Sequence, residues 1–147
     1  MIYIGADHKG FELKEKVKQW LIEWRCDHED MGALELDPSD DYPIYAKKVA
    51  ESIVEIEDRG ILVCGSGVGV DEVANKFDGI RSGLAINKEQ VEAARNDDNI
   101  NVLALASDFI SEEEAKEIVK VFLDTEFGDE ERFNRRLKEI GEIEEEN

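Results

Sequence analysis

The sequence predicts an α/β fold, a Rossmann-like three-layer αβα sandwich around a five-stranded parallel sheet. Short apolar runs alternate with segments whose apolar residues recur at helical spacing, and such chains form parallel sheets covered by helices on both faces. The length of 147 residues suits one compact domain, and there is no internal repeat or low-complexity linker. We therefore expect residues 1–147 to form a single domain, with residues 142–147 as a frayed acidic tail.

Five segments are predicted to be strands. Residues 2–6 form a short apolar run, and residues 25–31 are a weaker, polar candidate. Residues 60–64 are the clearest buried strand, and residues 81–86 and 101–106 supply the fourth and fifth. Because successive parallel strands need crossover connections, helices should lie between them.

Helical signals fill the intervals between these strands. The first helix begins at Phe11, and the segment 34–41 is a loop because it contains Pro38 and several aspartates. A second helix begins near Pro43, since proline is tolerated in a first helical turn. A third helix runs to about residue 77 and a fourth covers residues 88–95, while Ser111 and Glu114 form a predicted capping box for the fifth. The second helix carries a predicted apolar stripe of Ala46, Val49, Ala50, Ile53 and Val54.

Composition narrows the class of function. The net charge of −19 would repel nucleic acids and anionic membrane surfaces, so neither is expected as a partner. A pocket for a phosphorylated substrate would need its own positive groups. No apolar run approaches the ~20 residues that span a bilayer, and the N-terminus lacks the features of a signal peptide. We expect a cytoplasmic protein.

Metal sites and disulfides are not expected. The chain has two cysteines, Cys26 and Cys64, and two histidines, His8 and His28, with no cluster at zinc-ligand spacing. A cytoplasmic location also argues against a disulfide between the two cysteines.

The strongest functional signal is the glycine loop (residues 65–69, sequence GSGVG), which follows a buried strand and precedes a helix. Its glycines let the backbone approach a ligand, and its amides can face a phosphate or the oxyanion of an enediolate. The spacing differs from the dinucleotide fingerprint and from the Walker loop. A tight turn without a ligand is the alternative.

Ligands of open parallel sheets bind beyond the carboxyl ends of the strands. Asp7 and His8 follow the first strand, and Cys64 ends the third, where neighbouring amides would favour a reactive thiolate. We expect Asp97 and Asp98, ahead of the fifth strand, to reach the same edge. For Cys64 the alternative is a small buried hydrophobe, and for His8 a hydrogen-bonding loop residue.

The C-terminal helix carries Arg132 and Arg136, four residues apart and therefore on one helical face. Such a pair could clamp a phosphate. Alternatively, both arginines pair with nearby glutamates on a solvated surface.

Together these segments resemble one family, the type B ribose-5-phosphate isomerases and their galactose-6-phosphate isomerase relatives. The resemblance extends over nearly the whole chain, in order and at the family's spacing. The matching segments are residues 4–14, 41–43, 45–50, 59–69, 74–76, 79–81 and 101–105, together with Arg132, Arg135 and Arg136.

The resemblance implies an aldose–ketose isomerase of a small phosphorylated sugar, nominally ribose 5-phosphate, that works through a cis-enediolate without metal or organic cofactor. It implies active sites shared across the interface of a homodimer, often within a tetramer. Cys64 would be the base that moves the proton between C1 and C2, and Ser66 would move hydroxyl protons. The remaining implied contacts are the amides of Gly65, Gly67, Val68 and Gly69 for the enediolate oxygen, Asp7 for hydroxyls, Tyr42 for the pocket wall, and His8, Arg132 and Arg136 for phosphate.

Three positions depart from the family pattern. Asp97 stands where the family has its ring-opening histidine, Asp98 where it usually has asparagine, and Asp108 where it has a phosphate-binding arginine. Asp97 could itself open the ring, with Asp98 beside the substrate. The substrate could instead be another sugar phosphate, from tetrose to hexose, or the chain could be the B-like subunit of a galactose-6-phosphate isomerase. A non-catalytic sugar-phosphate-binding protein and a nucleotide-binding module are weaker alternatives.

Overall fold

The structure, a computed structural model, describes residues 1–147 and alternates strands with helices along the chain. No helix combines the length and the apolar character that crossing a membrane requires. The strands are β1 (Ile2–Ala6), β2 (His28–Asp30), β3 (Arg59–Cys64), β4 (Ser82–Leu84) and β5 (Val102–Ala106). The helices are α1 (Phe11–Glu23), α2 (Tyr42–Ser52), α3 (Val68–Ala74), α4 (Lys88–Asp98), α5 (Glu112–Asp124) and α6 (Glu131–Glu146).

All five strands pair in parallel, in the order β2-β1-β3-β5-β4, which confirms the predicted fold class. The register pairs Ala6 with Val63 and Cys64 with Ala106, so the three central strands finish at the same level. We call this end of the sheet the carboxyl edge and the opposite end the amino edge.

Two apolar clusters cover the two faces of the sheet. Ile61 and Val63 point into the larger cluster, with buried residues of α1, α4 and α5, while Leu62 and Cys64 point into the smaller one, with α2 and α3. This split follows from the alternation of side chains along a strand. Burying each large aliphatic side chain contributes roughly 1.5–3 kcal/mol, so both clusters stabilise the sheet from which the site projects.

Helix starts agree with the sequence signals. Ser111 accepts a hydrogen bond from the Glu114 amide, and Glu114 accepts one from the Ser111 amide, which confirms the capping box at α5. Pro43 lies in the first turn of α2, as predicted. The side chain of Asn87 caps α4 by accepting from the Gln90 amide.

Several boundaries differ from prediction. β2 and β4 have three residues each, because only that part of each candidate pairs in register. α2 ends at Ser52, which leaves Val54 exposed rather than on the predicted apolar stripe.

The predicted frayed tail also differs, because α6 continues as helix through Glu146. Lys138 pairs with Glu142 one turn along, and Glu144 accepts hydrogen bonds at 3.1 and 3.2 Å from the Gly79 amide. These contacts stabilise the last two turns of a helix whose composition alone suggests fraying.

Candidate active site at the carboxyl edge

The glycine loop is fixed to the neighbouring strand at its start. The Cys64 carbonyl accepts hydrogen bonds from the Ser107 amide at 2.9 Å and from its hydroxyl at 3.1 Å. The Gly65 carbonyl accepts from the Asp108 amide at 3.0 Å. The loop therefore leaves the sheet at a defined position, with the thiol of Cys64 (4% exposed) at its base.

Two glycines of the loop have no room for a side chain. Gly67 has φ of 73°, and a Cβ there would lie 2.4 Å from the side chain of Leu84. A Cβ on Gly69 would lie 2.6 Å from the ring of Tyr42, so this ring packs directly on the loop. Within the loop, Ser66 accepts a hydrogen bond at 3.3 Å from the Val68 amide.

The turn after β1 lies against the same part of β3. Asp7 is buried and accepts a hydrogen bond at 3.1 Å from the Gly10 amide. A Cβ on Gly10 would lie 2.4 Å from the Val63 carbonyl oxygen, so only glycine allows this approach. As a result, the turn carrying Asp7 and His8 adjoins the strand end that carries Cys64.

His8 is held by a residue that sequence reasoning did not single out. Oδ1 of Asp40 accepts from the His8 amide at 2.9 Å and lies 2.8 Å from Nδ1 of the imidazole. The hydrogen bond between the Asp40 carboxylate and the imidazole is the main cause of the raised pKa of His8. The nearby carboxylate of Asp7 raises this pKa further. Asp40 is one of several aspartates in the loop 34–41, and no local pattern distinguishes it from them.

The same cluster is the one group of side chains spaced to hold a metal ion. Ligand atoms of Asp7, His8 and Asp40 all lie within 4.8 Å of one another. A divalent cation there would have to displace the hydrogen bond between His8 and Asp40. The arrangement therefore fits a histidine–carboxylate pair better than a metal centre.

A polar cavity of about 290 Å³ lies beside the loop. Its lining includes Lys9, Lys16, Ser107 and Asp108. Oδ2 of Asp108 lies 2.8 Å from the position of a Cβ on Gly65, so this carboxylate faces the start of the glycine loop. The lining offers two ammonium groups against three carboxylates, and one of these carboxylates stands closest to the loop backbone.

Asp97 and Asp98 do not lie at this edge, and our prediction that they would is wrong. They are the last residues of α4, and a helix between two parallel strands runs back to the edge where the next strand begins. Asn99, which follows them, lines a cavity with Arg59, the first residue of β3. Arg59 is five residues from Cys64, roughly 17 Å along an extended strand.

Arg132 and Arg136 also lie at the amino edge. α6 is tied there at both ends, by the Gly128 amide donating to the Asn96 carbonyl and by Glu144 accepting from Gly79. Arg132 pairs with Glu130 at 3.1 Å, whereas Arg136 is exposed and forms no ion pair. Within one chain, neither arginine reaches the carboxyl edge.

A model of the Ribose/Galactose Isomerase family matches residues 2–140 of the chain. The chain belongs to the ribose/galactose isomerase family. Among similar proteins, the probable ribose-5-phosphate isomerase B of Mycoplasma pneumoniae is 41% identical over 143 residues, 97% of this chain and 91% of the relative.

Solved structures of this family have the same fold. A ribose 5-phosphate isomerase from Thermotoga maritima superposes with a TM-score of 0.90 at 44% identity, covering 96% of this chain and 97% of that one. Ribose-5-phosphate isomerase B from Mycoplasma genitalium, solved with bound ribulose 5-phosphate, gives 0.90 at 37% identity, covering 99% and 97%. The resemblance predicted from sequence is thus confirmed.

The predicted site residues of this isomerase-family chain form two separate groups. The carboxyl-edge group comprises Asp7, His8, Tyr42, Cys64, Gly65, Ser66, Gly67, Val68 and Gly69, and the amino-edge group comprises Asp97, Asp98, Arg132 and Arg136. One chain therefore presents its predicted site residues at opposite ends of its sheet.

Proposed function

We propose that the chain is an aldose–ketose isomerase that interconverts ribose 5-phosphate and ribulose 5-phosphate through a cis-enediolate. The observation that carries this proposal is the position of Cys64, a buried thiol at a strand end directly before the glycine loop. Isomerisation needs a base within reach of a carbon-bound proton and donors for the oxygen that becomes negative. The names and the bound product of the relatives support the same reaction.

In the proposed mechanism, the Cys64 thiolate removes the proton from C2 of the open-chain aldose, and the electron pair forms the enediolate. Amides of residues 65–69 stabilise the charge on O1. The Ser66 hydroxyl passes a proton from O2 to O1, and the Cys64 thiol returns its proton to C1. The result is the ketose, with the thiolate regenerated and no other reactant consumed.

Substrate binding is assigned by the same proposal to groups at both edges. Asp7 accepts hydrogen bonds from sugar hydroxyls, Tyr42 forms the pocket wall, and His8 binds phosphate as a cation. Arg132 and Arg136 complete the phosphate site, and Asp97 opens the sugar ring with Asp98 beside it. No cofactor takes part.

Because these groups lie at opposite edges, the proposal requires a second copy of the chain. One copy contributes its carboxyl edge and the other its amino edge, in a homodimer or a tetramer built from it. A two-fold interface creates two such shared sites at once. A cytoplasmic location and the lack of nucleic-acid partners stay predictions from charge and cysteine usage.

The first test is turnover of ribose 5-phosphate by the purified chain, with substrate-dependent exchange of the C2 proton into solvent as a second readout. We expect both in the wild-type chain. A chain that binds the sugar phosphate without either would be a binding protein, and the proposed reaction would be wrong.

Subunit mixing tests the shared site. Cys64→Ala and Arg132→Ala chains, each weakly active alone, are unfolded together and refolded. Random re-pairing places one intact site in each mixed dimer and restores roughly a quarter of wild-type activity. If each chain contained a whole site, mixing would restore nothing.

Isomerisation of a different sugar phosphate is the second candidate, favoured by the carboxylates at positions 97 and 108. A panel from tetrose to hexose phosphates tests it. An open-chain tetrose phosphate needs no ring opening, so Asp97→Asn should slow ribose 5-phosphate turnover and leave the tetrose phosphate unaffected. Equal loss on both substrates would exclude Asp97 as the ring-opening group.

A further inference from the structure

Asp40 makes contacts that no role in the proposed reaction explains. It lies in the loop between β2 and α2, far from His8 in sequence, and its Oδ1 serves two groups of that one residue. The His8 amide donates at 2.9 Å and the imidazole Nδ1 lies at 2.8 Å. The first contact fixes the backbone of the turn after β1, and the second fixes the ring on that backbone.

Burial makes this carboxylate costly unless its charge is compensated. The Asp40 side chain is 5% exposed, whereas that of His8 is 29% exposed. Oδ2 of Asp40 is buried and lacks a hydrogen-bond partner of good geometry. A buried anion with half of its acceptors unused is stable only beside a positive charge, and the imidazole is the group in contact with it.

The other groups around His8 have opposite effects on its pKa. Asp7 favours the charged imidazole, whereas partial burial and the ammonium of Lys9 disfavour it. Across the cluster, burial and the carboxylate of Asp40 are the main causes that raise the pKa of Tyr45, so this phenol stays neutral and adds no charge beside the pair. The net effect is a raised pKa of His8, with the hydrogen bond to Asp40 as its largest cause.

We propose that Asp40 is a positioning residue that orients the His8 imidazole and keeps it doubly protonated, so that Nε2–H faces the phosphate of the substrate. This inference rests on the proposed role of His8 in phosphate binding. With Nδ1 occupied by Asp40, Nε2 is the one ring atom left to bind a ligand. In a chain of net charge −19, a cation held at neutral pH inside the site favours an anionic substrate.

Asp40→Asn is the sharpest variant, because the amide oxygen can still accept both hydrogen bonds while the negative charge is lost. Asp41→Asn is the matched control, since it removes the same charge from the next residue in the chain. The Asp41 side chain accepts no capping hydrogen bond at the start of α2. Nuclear magnetic resonance can follow each imidazole, because the chain has only two histidines and His28→Gln assigns them.

We expect the His8 titration to move to lower pH by about one unit in Asp40→Asn. As a result, KM for ribose 5-phosphate should rise about tenfold at pH 8 but under about twofold at pH 6, with kcat little changed. Asp41→Asn should behave like the wild-type chain. An unmoved His8 titration, or a KM increase equal at both pH values, would overturn the inference.

Two further measurements keep the outcome clear. If Asp40→Asn does not fold, nitrogen chemical shifts of the wild-type chain at pH 7 decide, because a neutral His8 imidazole would contradict the proposal.

If the wild-type chain does not turn over ribose 5-phosphate, the proposed function fails by itself. Titration of His8 with inorganic phosphate then tests Asp40 separately, with weaker binding expected in Asp40→Asn above pH 7.

Discussion

The two edges of the sheet hold their functional groups in different ways. At the carboxyl edge, main-chain hydrogen bonds fix Cys64 and Gly65 to the end of β5, and Gly10 packs on β3 so that Asp7 adjoins them. At the amino edge, Arg132 lies on an exposed helix surface and pairs with Glu130. The first edge is preorganised by the fold of one chain, whereas the second has groups whose final positions an assembly can still set.

This difference predicts which substitutions the protein tolerates. Groups held by strand pairing cannot move without disturbing the sheet, so substitutions there should affect both folding and chemistry. Exposed side chains on a helix surface cost little to replace, so their effects should appear in substrate binding alone.

The largest effect is expected at the base of the glycine loop. Cys64→Ala removes the proposed base and should lower kcat for ribose 5-phosphate by about 10²–10⁴-fold, the usual contribution of a positioned acid–base group. Steady-state kinetics measures it, with circular dichroism to show that the fold persists. Cys26→Ala is the control, because this partly buried thiol lies away from the carboxyl edge and should leave kcat unchanged. Equal losses in both variants would remove Cys64 from the mechanism.

Two glycines with nearly the same φ allow the effect of crowding in the glycine loop to be measured apart from the effect of a left-handed backbone. Gly67 and Gly79 have φ of 73° and 76°, but a Cβ on Gly67 meets Leu84 while one on Gly79 meets nothing within 4 Å. Gly79→Ala should cost about 1–2 kcal/mol of unfolding free energy, the penalty of a left-handed backbone. Gly67→Ala should cost more and also lower activity. Urea unfolding of the two variants compares them, and similar costs would mean that the loop adjusts freely.

A smaller effect is expected from the carboxylate beside the loop. Asp108→Asn removes a negative charge next to the path of an anionic substrate and should lower KM about fivefold at low salt, the equivalent of about 1 kcal/mol. The effect should fade as ionic strength rises. Glu29→Gln makes the same charge change on the exposed side of β2, the outermost strand, outside both groups of predicted site residues, and serves as the control. A higher KM in Asp108→Asn would indicate that Asp108 binds the substrate directly.

The smallest effect concerns the pH dependence of stability. Because the folded-state pKa of His8 is raised, its pairing with Asp40 stabilises the fold fully below the unfolded histidine pKa of about 6.5. This contribution is lost as pH rises through the folded pKa. Unfolding free energies of the wild-type chain and His8→Gln should therefore converge with rising pH. A difference that stays constant from pH 5 to 9 would exclude this linkage.

Much of the architecture follows from local sequence. The alternation of apolar runs and helical periods was sufficient for the sheet, and Ser111 with Glu114 was sufficient for the start of α5. The glycine loop and the preceding Cys64 could also be predicted as candidate site residues, because three glycines between a buried strand and a helix form an unusual local pattern. These features depend on residues close in the chain, where spacing alone decides which groups meet.

The predicted topology already implied the end of the sheet that Asp97 occupies. Asp97 lies between a crossover helix and the fifth strand, and in a parallel sheet such a residue lies at the amino edge, so our expectation of the carboxyl edge misapplied this rule. Helical spacing predicts Arg132 as a phosphate ligand, but nothing in the sequence indicates that α6 is tied to the amino edge.

The sequence by itself therefore determined the fold class, the family and the glycine loop that follows Cys64. Only the tertiary structure decided that Asp40 holds His8, that Asp108 faces Gly65, and that α6 with its two predicted phosphate ligands lies at the amino edge. The physical reason is that helical and strand periods are local, whereas these contacts depend on crossover direction and strand register. Both of those are set by the packing of the whole chain.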